Sequence, residues 1–196
     1  MAHAPGRTRL ILASASPRRL DLLRQIGIVP DAVDPADIDE TIPPLELPAV
    51  HARRLAGEKL RAVAARHANA FVLAADTVVA CGRRILPKSE DEQTARKCLE
   101  LLSGRRHRVY GGVAVAAPGG RTVVRVVATG VVFKHLTARE IDAYVASDEW
   151  RGKAGGYAIQ GRAAAYVTGI SGSYSNIVGL PLYEAAALLR GLGYGA

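Results

Sequence analysis

The chain has 196 residues, 49% of them hydrophobic and 22% charged, a balance that excludes a disordered tail and fits one continuous globular domain. Its 26 basic against 18 acidic residues leave a net charge of +8, but 21 of the basic residues are arginines scattered singly or in pairs. Two Phe and one Trp are too few for a base-stacking platform, so nucleic acid is not expected as a partner.

At the N-terminus only four apolar residues in a row follow the basic ones, too few for the hydrophobic region of an export signal. Residues 9–14 read as a buried strand. A helix follows over 17–26, with Ser16 at the N-cap, Pro17 at the first helical position and Gly27 as the stop. A second helix is expected over about 48–67, then a strand over 71–80, a turn at Gly82 and a short strand near Ile85 and Leu86. Ser89 with Glu92 reads as a capping box opening a third helix that ends at Gly104. Strands are expected over 109–116 and 122–134, and a helix opened by Thr137 with Glu140 three residues on. The last helix begins at Pro181 and stops at Gly191. Between these two helices, residues 152–179 hold seven glycines and read as loop. Apolar runs alternating with helical patterns indicate an α/β fold. No run approaches the length of a membrane span, and Cys81 and Cys98, without a second Cys or His at metal-ligand spacing, read as reduced thiols. A soluble cytoplasmic protein is expected.

Four positions break the local pattern. Arg18 and Arg19 lie in the first turn of a helix, where the positive end of the dipole disfavours cations. With Ser14 and Ser16 they form either a phosphate cradle or a plain serine cap beside surface arginines. Asp76 interrupts the apolar run FVLAADTVVA, where a carboxylate needs a partner, a metal or a function. It could act as general base or metal ligand, with a hydrogen bond from Thr77 beside it, or sit in a structural turn or salt bridge. Lys59 falls on the apolar face of its helix with Ala52, Leu55, Ala56, Ala62 and Val63, so it either snorkels to solvent or reaches a ligand's phosphates. Lys88, directly before the Ser89 cap, suggests a second weak anion site. Glu40 in the acidic stretch 37–40 could ligate a hard cation such as Mg2+ or be a solvated loop residue. The Gln160 amide, on a Gly-flanked loop, suits reading a base edge. No GxSxG elbow, Walker loop or HExxH is present.

Taken together, the segments SASPRRLDLLRQIGI, IDE, RLAGEKL, LAADTVVACGRRILPK and GKAGGYAIQGRAAAYVTGISGSYSNIVGLPLYE resemble the Maf family of nucleoside triphosphate pyrophosphatases over almost the whole chain. GGYAIQG is similar to the branch acting on dTTP and UTP. The resemblance implies an elongated mixed β-sheet with flanking helices and two lobes around a central cleft, as in inosine triphosphate pyrophosphatase-like folds, and frequently a homodimer. It implies that Asp76 is the proton acceptor that activates water and that Arg19, Thr77 and Gln160 set specificity. Ser14, Arg18, Lys59 and Lys88 would bind the phosphates, while Glu40 and Asp76 would hold a divalent cation, Mg2+ or Mn2+. Ser89 stands where relatives commonly have proline, and Ala158 where glycine is common. Hydrolysis of 7-methyl-GTP, or a non-catalytic role in septum formation, are the alternatives.

Overall fold

The computed structural model describes residues 8–195. Residues 1–7, part of the stretch in which no export signal is expected, lie outside the described residues, as does Ala196. The first strand, β1 (Leu10–Ala13), is buried at every position, the behaviour of a continuous apolar run covered on both faces. It pairs in parallel with β2 (Ala32–Val33) on one side and β3 (Phe71–Cys81) on the other. Helix α1 (Pro17–Gln25) links β1 to β2, and α2 (Pro48–Ala64) precedes β3. A turn at Gly82, whose φ of +61° suits glycine, folds β4 (Arg84–Leu86) back on β3.

Next come β5 (Lys88–Ser89), α3 (Glu92–Leu102) and two long strands, β6 (Arg106–Ala116) and β7 (Thr122–Phe133). After α4 (Ala138–Val145) the chain forms β8 (Lys153–Ala154), a 3-10 turn at Arg162–Tyr166, β9 (Val167–Ser171), the short helix α5 (Tyr174–Val178) and α6 (Leu182–Gly191). The main sheet runs β2-β1-β3-β6-β7-β9 with β4 attached to β3, and β5 pairs with β8 in a separate ribbon. The sheet is mixed, because β1 is parallel to its neighbours while β3, β6, β7 and β9 are antiparallel. The mixed sheet with flanking helices agrees with the expected fold class. No helix among the described residues is long and apolar enough to cross a membrane.

Three local expectations need correction. Helix α3 is capped by Asp91, whose side chain accepts from the Thr94 amide, and not by a Ser89–Glu92 box. Ser89 instead lies fully buried on β5. Helix α2 ends at Ala64, three residues before the expected stop at 67. The stretch 152–179, expected as loop, carries β8, β9 and α5.

The two-residue period of β3 decides which layer of helices each of its side chains meets. Val72 and Ala74 pack with Ala56, Leu60 and Val63 of α2 on one face of the sheet. Leu73, Ala75 and Val79 pack on the other face with residues of α1, α3 and α6. By the same alternation Asp76 faces α2 and Thr77 faces the opposite way. The neighbouring strand β6 sets Gly112 beside Asp76 and Gly111 beside Thr77. A Cβ on Gly112 would lie 2.1 Å from the Ala52 carbonyl oxygen and 2.9 Å from the Ala56 Cβ, so only glycine lets α2 settle this closely on the sheet. Gly112→Ala is therefore expected to lower the unfolding free energy by about 3 kcal/mol through overpacking against backbone, read as a fall in the urea midpoint.

Candidate active site

One cleft, of about 480 Å³, opens between the main sheet and the β5–β8 ribbon. Ser14, Arg18, Arg19, Glu40, Lys59, Asp76, Thr77, Lys88 and Gln160, the residues singled out from the sequence, all line it. The end of β1 and the first turn of α1 bring Ser14, Arg18 and Arg19. A loop without regular structure brings Glu40, α2 brings Lys59, and β3 brings Asp76 and Thr77.

On the α2 face, Lys59 is 8% exposed and Asp76 4%. The Lys59 ammonium donates to Asp76 Oδ1 at 2.6 Å and lies 2.6 Å from Glu40 Oε1. The other Glu40 oxygen accepts from Lys88 at 2.5 Å. Lys59 thus neither snorkels to solvent nor lies free, since it bridges two carboxylates. Partial burial pushes the Glu40 carboxyl up, but the bonds from Lys59 and Lys88 outweigh this and hold it at about 2. Among the described residues no donor reaches Asp76 Oδ2. Lys88 lines the cleft but does not stand at a helix N-terminus as expected, because it lies on β5 and α3 starts beyond Asp91.

On the opposite face, Arg19 is held by three oxygens: Gly179 O from Nε at 2.9 Å, Ser14 Oγ from Nη1 at 2.8 Å and Thr77 Oγ1 from Nη2 at 3.1 Å. The Thr77 hydroxyl is 3.4 Å from the same Gly179 carbonyl. Thr77 therefore serves Arg19 and Gly179 and does not donate to Asp76, because adjacent strand residues point apart. Burial lowers the pKa of Arg19 while Asp76 works against that shift. Ser16 occupies the N-cap of α1 without a side-chain capping bond, and its amide donates to Ser14 Oγ at 3.3 Å. Arg18, whose pKa burial also lowers, has no hydrogen-bond or ion-pair partner among the described residues.

The third wall is the loop 157–160. Tyr157 is buried with its hydroxyl 2.8 Å from His107 Nε2, and the Ala158 amide donates to the Tyr144 hydroxyl at 2.9 Å. Burial pushes the His107 imidazole down to about 4, so it is neutral near pH 7. Ala158 needs none of glycine's conformational freedom, since its φ is not positive. Gln160 ends the loop, with an exposed side chain that has no partner among the described residues.

Sequence reasoning missed Lys153, which also lines the cleft. Its ammonium donates to the Arg151 carbonyl at 2.9 Å, and burial together with the nearby Arg18 charge lowers its pKa. The signal was a lysine set among Gly152, Gly155 and Gly156, all with positive φ. The cleft is thus lined by five cations, Arg18, Arg19, Lys59, Lys88 and Lys153, against two carboxylates. Such a surface suits a polyanion and offers a carboxylate oxygen beside it.

Among the described residues no group of three His, Cys, Asp or Glu could hold a metal unaided. The oxygens of Glu40 and Asp76, both in contact with one ammonium, nonetheless fit a hard cation that takes one or two carboxylates and completes its shell with phosphates and water.

The Maf family, described as Maf-like protein, matches residues 9–192. The dTTP/UTP pyrophosphatase of Paramagnetospirillum magneticum is 69% identical over 94% of this chain and 97% of that protein. Those of Rhodospirillum rubrum and Caulobacter vibrioides are 64% and 63% identical, over 97% and 99% of this chain and 93% and 99% of theirs. Among solved structures, a nucleoside-triphosphatase / dITP/XTP pyrophosphatase from Mycobacterium abscessus aligns at a TM-score of 0.43 and 17% identity, over 67% of this chain and 76% of that one.

The depressed Glu40 carboxyl has a pH signature. A group whose folded pKa lies near 2 against an ordinary 4.5 adds stability that is fully present above 4.5 and is lost as pH falls through the folded value. Glu46 and Glu140 are depressed likewise, so the difference between proteins is the measurement. Glu40→Gln is expected to flatten the acid limb of stability against pH relative to the wild type, read by urea unfolding from pH 7 to 2.

Proposed function

The chain belongs to the Maf family, and on that premise we propose that it is a nucleoside triphosphate pyrophosphatase acting on dTTP and UTP. Water attacks the α-phosphorus, and the nucleoside monophosphate and pyrophosphate leave. The observation that carries the assignment of roles is the Lys59 bridge between Asp76 and Glu40. Lys59 holds Asp76 by one oxygen and so fixes the plane of the carboxylate, leaving Oδ2 to accept a proton from the attacking water. Ser14, Arg18, Lys59 and Lys88 bind the triphosphate, and Lys153 joins them as a further cation of the same cleft. Their charges offset the negative charge that builds on the phosphoryl oxygens.

Glu40 and Asp76 would hold a divalent cation, Mg2+ or Mn2+, which when bound supplies additional positive charge at the phosphates. Arg19, Thr77 and Gln160 select the nucleotide. Gln160 presents both an amide donor and a carbonyl acceptor from a loop fixed beneath by Tyr157 and Ala158, which suits the edge of a pyrimidine. The close relatives named for dTTP and UTP support this choice of substrates.

The test is pyrophosphate release from dTTP, UTP, CTP, 7-methyl-GTP, ATP and GTP with Mg2+ or Mn2+. Preference for dTTP and UTP is expected. Asp76→Asn keeps the shape of the side chain and an acceptor oxygen for Lys59, whose charge Glu40 still meets, so it is expected to fold with reduced stability and to lose turnover by at least about 100-fold, the range of a general base. Wild-type turnover in that variant would remove Asp76 from the role of base.

A further inference from the structure

Asn176 is fully buried, and the proposed reaction makes no use of it. Its Nδ2 donates toward the Val109 carbonyl at 3.1 Å, the Val127 carbonyl at 3.2 Å and Thr129 Oγ1 at 3.0 Å, reaching both β6 and β7. Its Oδ1 is buried without a hydrogen-bond partner. This oxygen lies over Gly111, where a Cβ would come within 1.8 Å of it. A buried amide whose two N–H bonds are shared among three acceptors and whose oxygen is pressed against a glycine is closely fixed on the sheet.

Helix α5, which carries it, spans five residues. A helix so short has little stability of its own, so its position depends on such anchors. Thr129 adds to them, because its Oγ1 also accepts from the Ser173 amide at 3.2 Å and lies 3.3 Å from the Ser173 carbonyl. The helix ends at Gly179, whose amide donates to Ser175 O at 3.0 Å and whose φ is +144°. The Gly179 carbonyl is the acceptor for Arg19 Nε at 2.9 Å and lies beside the Thr77 hydroxyl.

We propose that Asn176 is a positioning residue for nucleotide selection: by fixing α5 on the sheet it sets the Gly179 carbonyl and, through it, the Arg19 guanidinium and the Thr77 hydroxyl. This rests on the reading of Arg19 and Thr77 as selectivity residues. The contacts that lead from Asn176 to Arg19 run along one face of the sheet. Lys59, Asp76 and Glu40 meet on the other, and none of their hydrogen bonds or ion pairs runs to α5, while Arg19 feels the charges of Asp76 and Glu40 across the shared cleft.

Two variants test it. Asn176→Ala removes the amide, and Thr129→Val, nearly isosteric, removes only one hydroxyl of the anchor and protects against a failure to fold. The first readout is hydrogen exchange at the Arg19 Nε–H in the full chain labelled with 15N-arginine, with Arg19→Lys for assignment. Exchange is expected to quicken about tenfold in Asn176→Ala and less in Thr129→Val. The second is selectivity, the ratio of kcat/KM for dTTP to that for CTP. It is expected to fall about tenfold in Asn176→Ala, mostly through KM, with kcat for dTTP within about threefold of wild type. Unchanged exchange, or an unchanged ratio, in folded variants overturns the proposal and leaves Asn176 a purely structural residue. A wild type that hydrolyses no triphosphate would defeat the underlying function instead, and the exchange comparison then decides alone whether Asn176 holds Arg19.

Discussion

A lysine ammonium buried against a β-sheet needs anions at hand, and the geometry around Lys59 answers that need. Its two carboxylate partners come from distant parts of the chain, Asp76 from the middle of β3 and Glu40 from a loop. Bringing the lysine to Asp76 requires α2 to lie close on the sheet, which the small side chains of Ala52 and Ala56 and the bare backbone of Gly112 allow. Removing one member of such a set leaves the others as uncompensated buried charge, the costly case for buried ions. Fold and proposed chemistry thus share one cluster.

The loop that carries Glu40 has no strand or helix over residues 34–43, so side chains must hold it. Arg54 on α2 does so, donating to Glu46 through Nε at 2.8 Å and Nη2 at 3.0 Å and to the Thr41 carbonyl at 3.0 Å. His51 adds a 2.6 Å contact to Glu46. The helix that supplies Lys59 therefore also ties down the loop supplying the carboxylate that Lys59 contacts. A guanidinium fork on a carboxylate suits this task, because its two parallel bonds fix orientation as well as distance.

Much of the site was legible because residues broke the local pattern. Asp76 in an apolar strand, Lys59 on an apolar helix face and two arginines at a helix start are each unfavourable alone, and all four line the same cleft. The long elements were legible as well, since α2, β3, β6 and β7 carry enough residues for a period to emerge. What escaped were β2, β5 and β8, of two residues each, which are too short to have a period and exist only through their partners, and β9, whose five residues lie in the Gly-rich stretch that reads as loop. The cap of α3 was misplaced because Ser89 and Asp91 both offer a capping oxygen, and the pairing of Ser89 with Lys153 on β8 removes the first from use. Asn176 gave no signal, because an asparagine in a Gly- and Ser-rich stretch reads as an ordinary turn residue.

Strand alternation also gives two consecutive residues different neighbours within the one cleft. Asp76 and Thr77 are consecutive in the chain, yet their side chains leave β3 on opposite faces, and Gly112 and Gly111 repeat the separation on β6. Substitutions around Thr77 and Arg19 meet different neighbours from substitutions around Asp76 and Lys59. On the proposed reading, a lineage descending from such a protein could exchange one nucleotide preference for another through the neighbours of Thr77 while the contacts of Asp76 with Lys59 passed down unaltered, so diversification of substrates within a single fold would follow from the alternation of one strand.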